Sequence, residues 1–202
     1  MNDHQIIALS CSAGGLDALT KVLAPLPANL AAAVLVLQHM PPDVASNLPL
    51  ILERSAALPV RWARDGDQLR PGRVLVAPAG QHTLVTGDES IVLIPSGPVP
   101  PYRPSADLLL TTLALAAGPR VIAVVLSGEG HDAATGATAV HRFGGTVVVS
   151  SPETSVRTAM PRATMIRDSI TDHVVPLDGL AGLLLSLTTA PASEPGSEFS
   201  VS

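Results

Sequence analysis

The sequence predicts an α/β fold in three layers, α/β/α, with a mainly parallel, doubly wound sheet and a small β-hairpin beside it. Two observations carry this. Short apolar runs of Val, Ile, Leu and Ala alternate with segments of helical periodicity, and strands separated by helices imply right-handed crossovers and a sheet covered on both faces. Aromatic residues are only 2% of the chain although hydrophobic residues are 47%, the balance expected when branched aliphatic side chains fill strands buried between helices. A third observation bounds the count: 202 residues without a break in composition suffice for one domain with a sizeable core.

The elements follow in order. Ile6, Ile7 and Leu9 suit a buried strand that stops in Ser10-Cys11-Ser12-Ala13-Gly14-Gly15. Leu16, Leu19, Val22 and Leu23 then recur at helical spacing, with Asp17 in the first turn where the helix dipole favours an acid. Val34-Leu35-Val36-Leu37 is a second core strand, and residues 43–54 read as a helix. Val60-Arg61-Trp62 and Arg73-Val74-Leu75-Val76 read as strands, and Thr83-Leu84-Val85 and Ile91-Val92-Leu93-Ile94 as a hairpin around Gly87-Asp88. Ser105 can cap a long helix running through Ala117. Residues 121–126 are the clearest central strand, and a helix over 132–142 leads into the strand Thr146-Val147-Val148-Val149.

Composition excludes several classes of function. A net charge of −5 with scattered Arg and Lys offers no basic stripe, so nucleic acid is not an expected partner. The single cysteine, Cys11, permits no internal disulfide and fits a cytoplasmic protein. Met1-Asn2-Asp3-His4 lacks the pattern of a signal peptide, and no apolar run reaches the roughly 18 residues that cross a bilayer. No direct membrane insertion is expected. From Thr189 onward the Ala/Pro/Ser-rich sequence cannot bury enough apolar area to order itself.

Parallel sheets bind ligands beyond the carboxyl ends of their strands. That rule groups three loops, holding Ser12, His39 and Asp132. Each residue has an ordinary structural reading: Ser12 as a helix cap, His39 as a packed strand-end side chain, Asp132 as an N-cap or first-turn acid. Together they have another, because serine as nucleophile, histidine as base and a carboxylate that orients the imidazole form a recurrent hydrolytic set recognised by geometry. The GxGxxG, phosphate-loop and GxSxG patterns are all missing. Cys11 reads as a small buried thiol. No second His/Cys/Asp cluster with ligand spacing accompanies His131 and Asp132, so neither a metal nor another cofactor is expected.

From about Ile6 to Leu187 the chain resembles the catalytic domain of the chemotaxis protein-glutamate methylesterases, the CheB type. The similarity lies in Ser12-Ala13-Gly14-Gly15, Gln38-His39-Met40-Pro41, Asp65-Gly66-Asp67, Arg73-Val74-Leu75-Val76-Ala77-Pro78 and His82, and continues through Arg103-Pro104-Ser105-Ala106-Asp107, Ser127-Gly128-Glu129-Gly130-His131-Asp132 and Ala159-Met160-Pro161-Arg162-Ala163. It is the joint order and spacing of these motifs that make the match specific. The resemblance implies that Ser12 attacks a glutamate γ-methyl ester, His39 shuttles the proton and Asp132 orients His39, with glutamine deamidation as a related reaction. The implied partner is a methylated chemoreceptor or receptor-like helical protein. Backbone N–H groups around Ala13 and the Gly128, Glu129 and Gly130 loop are candidate oxyanion donors.

The sequence departs from the family pattern at named places. Glu129 stands where methionine is usual, and a carboxylate aimed at the oxyanion would oppose catalysis while one facing solvent would not. Asp132-Ala133 replaces the common Asp-Gly, a change that a helix start tolerates. Family members often carry an amino-terminal receiver, whereas the first core strand here begins almost at Met1. The expectation is a catalytic domain over residues 1–188, a flexible tail over 189–202, and no receiver or phosphorylation switch within the chain. Arg103 either orients substrate or braces its loop, His82 reads as structural, and Met160, placed in a loop, either lines the ester pocket or fills a gap. Two other functions stay open: a catalytically weakened scaffold that binds or regulates, and a hydrolase for a small ester.

Overall fold

Alternation decides where each strand residue points, and the computed structural model, which describes residues 3–43, 45–97, 103–167 and 169–189, follows it. In β1 (Gln5–Cys11) the residues Ile6 and Ala8 join one core cluster while Ile7, Leu9 and Cys11 join the other, as a period of two requires. One cluster is closed by α3 (Ala106–Ala117), α4 (Ala134–Arg142) and α5 (Ala159–Met165); the opposite one by α1 (Gly15–Leu23), α2 (Leu48–Glu53) and α6 (Leu180–Thr189). Each buried Leu or Ile in these layers contributes about 1.5–3 kcal/mol. The sheet they sandwich has seven strands, all parallel.

Besides β1 it comprises β2 (Ala32–Gln38), β3 (Val60–Trp62), β4 (Arg73–Val76), β7 (Val121–Val125), β8 (Thr146–Ser150) and β9 (His173–Val175), in the order β3-β4-β2-β1-β7-β8-β9. The chain winds outward from β1 to β2 and β4 on one side, and from β7 to β8 and β9 on the other. Connections therefore diverge next to β1, which opens a crevice at the carboxyl edge.

The hairpin forms as the sequence predicts, with β5 (Gln81–Val85) antiparallel to β6 (Ile91–Pro95) and Val85 opposite Ile91. Those two side chains are buried against α3. Two acids fasten it to the main sheet: Asp65 Oδ1 accepts from Leu93 N–H at 2.9 Å, and Glu89, 5% exposed, pairs with Arg120 at the head of β7. Asp67 of the same Asp-Gly-Asp motif accepts from both terminal nitrogens of Arg61 and from Arg64 N–H.

Some element boundaries differ from expectation. The helix expected over 43–54 is only Leu48–Glu53, because Pro49 lacks an N–H and is accommodated in the first turn but not deeper. The helix expected from Asp132 starts at Ala134, leaving Asp132 outside it. Met160 lies in helix α5 and is fully buried, not in a loop. That helix, β9 and α6 carry weak signals: Pro161 interrupts the first, β9 has three residues, and α6 is apolar all round. Helix α6 reaches Thr189, and the remainder of the expected tail lies outside the described residues. Among the described residues no helix is long and apolar enough to cross a membrane.

Candidate active site

The parallel register fixes two of the three candidate side chains. Cys11 pairs with Gln38 at the end of the β1–β2 ladder, so Ser12 and His39 are the next residues on strands about 4.8 Å apart. His39 N–H donates to Cys11 C=O at 3.0 Å, extending the ladder by one bond. Ser12 is tied on its other side, donating its N–H to Ser127 C=O at 3.0 Å across the β1–β7 boundary. A Cβ placed on Gly128 would sit 2.9 Å from Ser12 Cβ and 2.1 Å from Met160 Sδ. Only glycine lets the loop after β7 approach Ser12 so closely over the floor that Met160 forms.

The third side chain reaches the same rim. Asp132 Oδ2 lies 2.8 Å from His39 Nε2, with the carboxylate side chain 1% and the imidazole 11% exposed. Since an ionised carboxylate only accepts, Nε2 is the ring nitrogen that donates to Asp132, and in a neutral ring the lone pair then falls on Nδ1. The acid also serves α3: its oxygens accept from Ala106 N–H at 2.6 Å, Asp107 N–H at 3.0 Å and Ser105 Oγ at 3.2 Å. Asp132 is thus no cap of its own following helix; it caps the neighbouring one. Burial, the strongest single influence on it, opposes ionisation, but the bonds from His39, Ala106 and Asp107 together outweigh that and hold its carboxyl below the usual range.

Sequence reading missed these extra donors, because Ser105 reads as a local cap and nothing local connects residue 105 to residue 132. Ser105 does both jobs, accepting from Leu108 N–H at 3.4 Å while its hydroxyl donates to Asp132. His82 has the structural role expected, accepting Ser105 N–H at 3.0 Å on Nδ1. Ser127 was also missed. Its buried hydroxyl donates to Ala13 C=O at 2.8 Å and accepts Arg157 N–H at 2.9 Å, joining the loops after β1 and β8.

The remaining candidates fall at different depths. Ala13 and Glu129 are exposed and Gly130 is half-buried, and the N–H groups of all three donate to no other described residue. Gly128 N–H is committed to Arg157 C=O at 3.1 Å. Glu129 is 60% exposed and pairs with Arg157, 60% exposed, at 3.3 Å. Arg103 C=O accepts from Met40 N–H, and Arg103 with His39, Met40 and Pro41 lines a cavity of about 260 Å³. Cys11 is wholly buried, which pushes its thiol pKa up and leaves it protonated.

Alanine at 133 is a larger departure than a helix start suggests. It adopts φ 86°, ψ −21° in a fully buried setting, a left-handed conformation that costs an L residue about 1–2 kcal/mol. The turn is needed because the chain must pass from Asp132, facing α3, into α4 within one residue.

A family model described as CheB methylesterase matches residues 7–184. A Moorella thermoacetica protein named protein-glutamate methylesterase/protein-glutamine glutaminase is 39% identical over 189 residues, covering 92% of this chain and 44% of its own. A Myxococcus xanthus protein of the same name, numbered 1, is 38% identical over 185 residues, covering 90% of this chain and 53% of its own. The crystal structure of the Thermotoga maritima CheB methylesterase catalytic domain superposes with a TM-score of 0.85 at 32% identity, covering 91% of this chain and 98% of that one. The chain thus spans about half the length of the curated relatives it matches.

Proposed function

The chain belongs to the CheB methylesterase family, and from that premise we propose that it hydrolyses glutamate γ-methyl esters on a receptor-like helical protein, releasing methanol. The observation that carries the reading is the 2.8 Å bond from His39 to a buried, multiply bonded Asp132 at the rim where Ser12 directly follows β1. In this mechanism Ser12 Oγ attacks the ester carbonyl while His39 Nδ1 takes its proton. Asp132 holds the ring and stabilises the imidazolium. The carbon–methoxyl bond then breaks, methoxide takes the proton from His39 and leaves as methanol, and water repeats the cycle to free the carboxylate. The N–H groups of Ala13, Glu129 and Gly130 are the candidate oxyanion donors, each such donor being worth about 3 kcal/mol in comparable hydrolases. Glutamine deamidation uses the same steps with ammonia as the leaving group, and the relatives' names join the two activities.

Pairing of Glu129 with Arg157 in solvent supports turnover over a decayed scaffold, since the carboxylate is solvated and its charge compensated by the guanidinium. The accompanying proposals are a cytoplasmic location and a single catalytic domain over residues 1–188. Ser12→Ala is expected to abolish methanol release, and His39→Ala to reduce it almost as far, by roughly four or more orders of magnitude, because such residues act as a unit. A serine-directed fluorophosphonate should label the parent protein and not Ser12→Ala. Turnover that persists in Ser12→Ala would remove this serine from the reaction.

A further inference from the structure

The acid that orients His39 is held by a helix to which it does not belong, and the exchange is mutual. Asp132 caps α3 through the N–H groups of Ala106 and Asp107. Asp107, in the first turn of α3, returns the contact by accepting Gly136 N–H on Oδ1 at 2.7 Å, at the head of α4. The two helices are close enough for this only because residue 136 has no side chain: a Cβ there would lie 2.6 Å from Leu110 Cβ and 3.0 Å from the Asp107 Cα and carbonyl oxygen. Between the crossed caps lies Ala133 with its positive φ, a conformation that persists only where its surroundings over-determine it. Nothing in the reaction uses Asp107 directly, yet it is a half-buried acid beside Asp132, its carboxyl raised by burial, opposed by Gly136 N–H, and raised further by the Asp132 charge.

We propose that Asp107 is a positioning residue of this site: its clasp on α4 from the head of α3 fixes the elbow at Ala133 and so aims Asp132 at His39. The proposal rests on the Ser12, His39, Asp132 reading. Its effect is expected on the chemical step, because Asp107 is not among the described residues that line the cavity beside His39. Residues of this kind act by sub-ångström placement, and a 1 Å misplacement costs up to about a hundredfold.

The test measures methanol release and fluorophosphonate labelling of Ser12 across Asp107→Ala, Asp107→Asn, Asp107→Glu and Ser12→Ala, well below each variant's melting temperature. Asp107→Ala is expected to lose roughly tenfold in kcat and in labelling rate with KM within about twofold. Asp107→Asn, which keeps an oxygen for Gly136 N–H, is expected to recover kcat to within about threefold of the parent. Should Asp107→Ala not fold, Asp107→Glu carries the test, since it keeps the charge and displaces the acceptor by one methylene; kcat falls with KM held. An unchanged kcat in folded Asp107→Ala or Asp107→Glu overturns the proposal, as does an Asp107→Asn no better than Asp107→Ala. Persistent activity in Ser12→Ala would instead overturn the triad reading, so the two failures are told apart.

Discussion

At the scale of single residues, the instructive position is Ala133. The sequence presents it as an alanine near a helix start, where alanine is the best of residues. Its observed φ of 86° reverses that judgement. Replacing it with glycine relieves about 1–2 kcal/mol of left-handed strain, while removing a buried methyl costs about 0.8 kcal/mol and the freer unfolded chain about 0.4–1 kcal/mol. These nearly cancel. Ala133→Gly is therefore expected to leave stability within about 0.5 kcal/mol of the parent, whereas Ala137→Gly, in the buried interior of α4, should cost about 2 kcal/mol from helix propensity and the lost methyl together. Urea unfolding of the two variants makes the comparison, and equal losses would show that the positive φ carries no strain. Ser105 and Ser127 teach the complementary lesson. Their types and local settings are legible, but their second partners lie 27 and 114 residues away, and one sequence holds no signal for such pairs.

Among the elements, those with strong periodicity were legible and those with weak periodicity were not. The buried strands β1, β2 and β7 and the capped helix α3 stand close to where residue types place them, because burial on both faces demands unbroken apolar runs. Helix α2 contracted where Pro49 forbids extension, and α5 and β9 are too short to show a period. The hairpin was legible as a unit, but its attachment was not, since the Glu89–Arg120 pair joins residues 31 apart. That attachment has an energetic consequence. Arg120→Ala would strip a buried carboxylate of its guanidinium, and such breaks cost about 3–5 kcal/mol when both partners are buried. With the Arg120 side chain 21% exposed, about 2–3 kcal/mol is expected. The pair sits at the amino end of β7, away from the carboxyl rim, so methanol release measured at low temperature should be unaffected while the urea midpoint falls. A loss of stability below about 1 kcal/mol would place this pair with ordinary surface ion pairs.

For the molecule as a whole, the legible part is the convergence itself. A parallel sheet gathers its carboxyl-end loops on one side, so Ser12, His39 and Asp132, each placed in the loop after an apolar run, could be assigned to a common rim without knowing the strand order. The ring nitrogen facing the acid, the crossed caps of α3 and α4, and the neutralising partner of Glu129 all depend on loops whose paths no periodicity encodes. The sheet's outer margins carry a further implication. Strands β3 and β9 are each three residues long, and an open margin with few free peptide groups gives an incoming strand little to zip onto. Concentrated, quiescent samples are accordingly expected to show no growth of thioflavin fluorescence over days, so that edge-wise fibre growth should not complicate storage or assay of the protein.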